Sequence, residues 1–222
     1  MTTSYPRIAG QSLERLAGLS DGIFAVAMTL LVLDLRVPIN HATEHGEHPL
    51  WSAGMWRSEH DVVEALGDVG PHVLPYAISF MTLGIFWIGQ QTQFNNFART
   101  DRHLTWIHIA FLAVVSLMPF STGLLSEYVT YRIPFVLYWL NLLLLGVVLL
   151  VSLRHAKRAG LLKPEATDDV LGALRRRVYF YQVCYGVAMA LCVINTYVSM
   201  IALVLLQLAS AVAPPIPPFN RY

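Results

Sequence analysis

Charge is scarce in this sequence. Charged residues make up 13% of its 222 positions, about half the ~25% of an ordinary soluble domain. Hydrophobic residues make up 55%, and the mean hydropathy is +0.52, so the missing polar surface is expected to face lipid. A net charge of +1 gives no sign of a nucleic-acid surface. Cysteine is nearly absent. Cys184 and Cys192 share one apolar stretch and, on a helix rising 1.5 Å per residue, sit about 12 Å apart, too far for a disulfide. They read as small buried or lipid-facing residues. A typical signal peptide is also missing: the first apolar run begins after Arg15 and holds Asp21 and Asp34, so it is expected to stay attached. There is no internal repeat. A duplicated transporter would copy the first helix's polar pattern near the fourth, where Pro134, Tyr138 and Asn141 carry no such copy. Ser20 and Asp21 match a hydrolase triad by residue type only, with no histidine near them in sequence, so the chain is not expected to be an enzyme.

What is present is a series of apolar runs. A membrane span needs roughly 20 mostly apolar residues, and six are predicted, at about 16–37, 72–94, 104–125, 133–153, 179–194 and 197–212. The last two divide a 35-residue stretch at Asn195–Thr196. The expected fold is an all-α integral membrane protein of one domain. Residues 39–70 form an acidic, histidine-rich loop and 154–177 a basic loop. Lys and Arg divide 12 against 3 between the two sides of a six-span topology. The richer side is the cytoplasmic one, which places both termini and the 154–177 loop inside and the 39–70 loop outside, in a plasma membrane. His41, His45 and His48, with Glu44 and Glu47, are suitable metal ligands by type, but their spacing matches no specific motif, and no cofactor is expected.

The first helix holds the informative pattern. Arg15, Ser20, Asp21 and Thr29 recur within an otherwise apolar run. Ionisable residues in a membrane helix are costly and usually face a bundle interior or a water path; Asp34 fits equally a plain interfacial position. Arg15 and Asp21 are spaced to pair directly or through Ser20. Gly22, Val26, Thr29 and Leu33 fall on one helical stripe, with Leu30 adjoining. That stripe reads either as a packing seam between helices or as a face turned toward a conduction path.

The run from Arg15 through Leu19-Ser20-Asp21 to Thr29 resembles the signature of the transmembrane-protein-175 family of potassium channels, with Leu19 where the family usually carries Phe. The resemblance continues through Phe86-Trp87, Asp101-Arg102, Trp106 and Leu117–Tyr128. Gln90-Gln91 stand where the family often has two histidines, and His108 where Asn is common. The resemblance implies a six-helix subunit, assembled as a homotetramer around the first helix, that conducts K⁺ without a Thr-Val-Gly-Tyr-Gly filter, which this chain lacks. Carried onto these positions, it makes Val26 the main aliphatic constriction, Leu30 and Leu33 further rings and Thr29 the selectivity ring. Arg15, Ser20 and Asp21 become the polar network holding the pore helix. A proton-coupled transporter or proton-permeable pore using Asp21 is the alternative.

Overall fold

The computed structural model describes residues 12–35 and 55–212; His41, His45 and His48 lie outside them. Among the described residues, seven α-helices form six rods: α1 (Leu13–Leu30), α2 (Met55–Asn96), α3 (Arg102–Ser116) with α4 (Met118–Glu127), α5 (Arg132–Arg158), α6 (Asp168–Ala190) and α7 (Thr196–Val212). Four stretches among the described residues are long and apolar enough to cross a membrane: Leu13–Leu33, His72–Asn96, Arg102–Glu127 and Arg132–Arg158. Thr196–Ser210 is a shorter apolar helix. The protein is an all-helical membrane protein.

Local chemistry explains the ends. Ser12 caps α1, its hydroxyl accepting the Arg15 N–H at 3.2 Å, which satisfies one of the free donors of the first turn. The helix tightens into a 3₁₀ turn at Leu31–Asp34, and the expected end at residue 37 lies outside the described residues. Asp101 caps α3, accepting from the Leu104 N–H at 2.7 Å. The stretch 104–125, expected as one helix, is instead broken at Leu117. Pro119 lacks the N–H that would bond Val115, and its ring crowds that carbonyl.

Two expected loops are shorter than their charge suggested. Residues 39–70 are not all loop, because α2 begins at Met55 and runs for 42 residues, about 63 Å at 1.5 Å per residue. That is twice a hydrocarbon core of ~30 Å, so charged helix formers can continue the rod outside the apolar layer. Likewise α5 runs through Arg158 and α6 starts at Asp168. This leaves only 159–167 as loop within the 154–177 segment. His155, Lys157 and Arg158 occupy the last turn of α5, where cations meet the negative end of the helix dipole. Gly160 then adopts φ 62°, and the Leu161 N–H closes onto the Ala156 carbonyl at 3.0 Å, a left-handed helix stop that suits glycine.

The core is a long apolar seam, including Phe24, Leu31, Ile78, Phe111, Val115, Phe135 and Leu142. A second cluster of Leu16, Phe94, Phe97, Leu104, Leu153 and Leu171 closes the end nearest the 159–167 loop. That loop is laced to the α2–α3 connection by Ala98 N–H to Leu161 O at 2.8 Å and Lys163 N–H to Asn96 O at 3.0 Å. This end, which carries most of the basic residues, is called the basic end below. Inside the seam a polar knot ties four helices. Thr122 donates to Ser79 at 2.7 Å, Tyr138 lies 3.2 Å from both Ser79 and Thr82, and the Gln207 amide reaches Thr82. Outside, Leu137, Leu140, Leu144, Val147 and Val151 form an exposed stripe on α5, as a lipid-facing helix requires.

Candidate pore helix

α1 has two opposed faces. Leu16, Ser20, Phe24, Ala27 and Leu31 recur every three or four residues and are buried against the bundle. The other face has no cover among the described residues: Val26 is 58% exposed, Leu30 43% and Leu33 66%, with Gly18, Gly22 and Thr29 exposed beside them. Gly22, Ile23, Val26, Ala27, Leu30 and Ser116 line an open groove of about 460 Å³. A Cβ at Gly18 or Gly22 would meet nothing within 4 Å, so neither glycine admits a close neighbour among the described residues. Among the described residues, the stripe is therefore not a packing seam.

The polar residues of α1 divide between the faces. Ser20 is fully buried and donates to the Leu16 carbonyl of its own helix at 2.9 Å, not to Asp21. Arg15 is exposed, and its backbone N–H takes the Ser12 cap. Asp21 turns toward α2 instead, where its Oδ1 accepts from Trp87 Nε1 at 2.8 Å and Gln91 Nε2 at 2.7 Å. The expected Arg15–Ser20–Asp21 network is thus replaced, among the described residues, by Asp21 with two donors from α2. Sequence reasoning missed both partners. The available signal was their spacing: Trp87 and Gln91 are four residues apart and share one helix face. Thr29 Oγ1 bonds its own helix, with Ala25 O at 3.0 Å and Val26 O at 2.8 Å. Its proton is spent there, and its lone pairs stay on the exposed side.

Gly18-Leu19-Ser20-Asp21-Gly22 spells Gly-x-Ser-x-Gly. A nucleophile elbow holds its serine exposed on a strained strand-to-helix turn, whereas Ser20 is buried mid-helix and committed to a carbonyl. His108 has both ring nitrogens engaged, by Gln90 at 3.1 Å and Ser152 at 2.9 Å, and is a buried structural tie between α2, α3 and α5.

Residues 15–119, from α1 through the start of α4, match the family described as "Endosomal/lysosomal potassium channel TMEM175". The fold is similar to the crystal structure of a lysosomal potassium-selective channel TMEM175 homolog from Chamaesiphon minutus. The TM-score is 0.70 with 26% identity, covering 90% of this chain and 96% of that one. Over residues 15–119 the chain is similar to the TMEM175 family. A potassium channel of Streptomyces collinus is 36% identical over 114 residues, which cover 51% of this chain and 48% of that protein. An endosomal/lysosomal proton channel TMEM175 of Gallus gallus is 32% identical over 120 residues, 53% of this chain but only 22% of its own length. The chain thus matches about half the length of the Streptomyces protein and about a fifth of the avian one. In these relatives the matched portion is about the size of the 15–119 family segment, which holds the bare stripe and Asp21 with its two partners.

Proposed function

We propose that four copies of this chain surround a pore lined by α1 and pass K⁺ passively across a plasma membrane. The uncovered α1 stripe carries the reading, since an apolar, glycine-containing face with a hydroxyl at its centre has no packing partner among the described residues. The Streptomyces and Chamaesiphon relatives, both named as potassium channels, support it. Val26 forms the narrowest ring, and Leu30 and Leu33 form further rings. Such a neck is dry when narrow and gates by dewetting. Thr29 forms the selectivity ring: with its proton tied to the helix, it offers oxygen lone pairs to a partly dehydrated cation without the deep trap of a carboxylate. Conduction needs sites this weak. Asp21 holds the pore helix to α2 through Trp87 and Gln91. No cofactor takes part and no bond is made or broken, so the chain is not an enzyme; K⁺ is the permeant species. The Lys/Arg bias supports cytoplasmic termini.

The test is flux from liposomes containing the purified protein under a K⁺ gradient. Folded protein that passes no K⁺ overturns the proposal. Val26→Ala is expected to widen the neck and raise conductance, and Thr29→Val to weaken discrimination between K⁺ and Na⁺. Unchanged currents in both variants remove the residue assignments and leave the fold. The second reading is proton permeation or proton-coupled transport through Asp21, favoured by the name of the avian relative and by the ionisable group on α1. A reversal potential that follows the pH gradient, lost in Asp21→Asn, supports that reading over the first.

A further inference from the structure

A second cavity lies away from α1, between α2, α5 and α6 toward the basic end. It has a volume of about 60 Å³, and Phe86, Gln93, Leu149, Arg177, Gln182 and Tyr185 are among its walls. Most of the wall is apolar, yet three buried polar atoms there have no partner among the described residues: Gln93 Oε1, Gln182 Oε1 and the Tyr185 hydroxyl. Gln93 is 2% exposed and Tyr185 1%. The direction of each amide is set by its other end. Gln93 Nε2 donates to the Leu149 carbonyl and Gln182 Nε2 to the Leu142 carbonyl, each at 3.0 Å, so the oxygens are the free ends. An unpaired buried acceptor is costly, and two acceptors with a hydroxyl beside them call for an occupant that donates hydrogen bonds.

Arg177 supplies the second half of the chemistry. It is half-buried, packs over the Tyr181 ring at 6.0 Å and is the one charged residue on the wall; no acid is among the described residues lining it. Arg175 and Arg176 precede it and are exposed. A cation at the rim, hydrogen-bond acceptors within and lipid-exposed helices around form an amphipathic port. Basic pockets between membrane helices are ready sites for anionic headgroups. A water needs about 10–15 Å³ of such space, so the cavity admits the hydroxyl end of a headgroup but not acyl chains, which would stay along the outer surface.

We propose that this cavity binds the headgroup of an anionic, hydroxyl-bearing phospholipid, its phosphate on Arg177 and its hydroxyls donating to Gln93 Oε1 and Gln182 Oε1. The site is separate from the α1 stripe, and its test does not require ion flux. Purified full-length protein in detergent is mixed with phosphatidylglycerol, phosphatidylcholine or free glycerol phosphate. Lipid retention is read by native mass spectrometry and thermal unfolding by fluorescence. Phosphatidylglycerol is expected to be retained and to raise Tm, and phosphatidylcholine to do neither. Arg177→Gln is expected to weaken retention about tenfold, the loss of one charge-assisted contact. Gly89→Leu is a second, independent variant. Gly89 lines the cavity, and a Cβ there meets only Leu149 Cδ1 at 3.8 Å, so a longer side chain fills the space while leaving Arg177 in place; it too is expected to abolish retention. Equal retention of the two lipids overturns the proposal, as does wild-type retention by either variant. A full Tm shift from glycerol phosphate alone overturns the lipid as the source.

Discussion

Cutting the tie between α1 and α2 is the most direct perturbation of the proposed pore helix. Asp21 Oδ1 accepts two hydrogen bonds, from Trp87 at 2.8 Å and Gln91 at 2.7 Å. Polar contacts between membrane helices average about 0.6 kcal/mol and reach about 1.7. Asp21→Ala, which removes both, is therefore expected to cost about 1–3 kcal/mol. In a chain of this size each kcal/mol moves Tm by roughly 2–4 °C, so the unfolding midpoint falls by several degrees. Trp87→Phe and Gln91→Leu each remove one bond and are expected to cost about half as much. Asp21→Asn keeps an acceptor oxygen and is expected to be the mildest of the four. The decisive assay is a double-mutant cycle on purified protein by thermal or denaturant unfolding. Asp21→Ala with Gln91→Leu is expected to be non-additive by about 0.6 kcal/mol or more, whereas Asp21→Ala with Arg15→Gln is expected to be additive within the usual ~0.3–0.5 kcal/mol. The opposite outcome, coupling to Arg15 and none to Gln91, refutes the arrangement described here and restores a network confined to α1.

Three further outcomes are expected. Gly146→Ala places a methyl group where the Gln182 side chain packs. It is expected to expel that amide from its bond to Leu142, at a cost of about 1–3 kcal/mol, measured as a lower Tm. Tyr138→Phe leaves the ring in place but removes the hydroxyl shared by Ser79 and Thr82, and is expected to cost about 1–2 kcal/mol in the same assay. At the α3 N-terminus, burial pushes the Asp101 carboxyl up, but the Leu104 N–H, the His155 hydrogen bond and the charges of His155 and His103 outweigh it and hold the group below its ordinary 3.8. A depressed folded-state value means that the stabilisation is complete above about that pH and is lost as pH falls through the lower folded value. Because Asn also caps helices well, Asp101→Asn isolates this contribution. The variant is expected to melt below wild type by the equivalent of about 0.5–1 kcal/mol at pH 5–6 and to converge with it in strong acid.

The sequence alone determined that the chain lives in a membrane, that its apolar rods are helices and that α1 is the unusual one. Those properties depend on composition and on residues a few positions apart: a helix in lipid must satisfy its own backbone, and the 3.6-residue period places Gly22, Val26, Thr29 and Leu33 together wherever the helix lies. Proline could have located the break at Leu117, but the apolar run 104–125 masked it because hydropathy does not register a missing N–H. Charge misled in the opposite way at 55–70 and 168–177, where acids and arginines prolong helices rather than end them. Tertiary structure alone decided what the polar side chains do. It turned Asp21 to Trp87 and Gln91, 66 and 70 residues away, sent Ser20 back to its own helix and gathered Gln93, Gln182 and Arg177 around one cavity. The physical reason is distance along the chain. A hydrogen bond between helices depends on how two rods are rotated and shifted against each other, and that is settled by packing across the whole bundle, not by the spacing of residues within either rod.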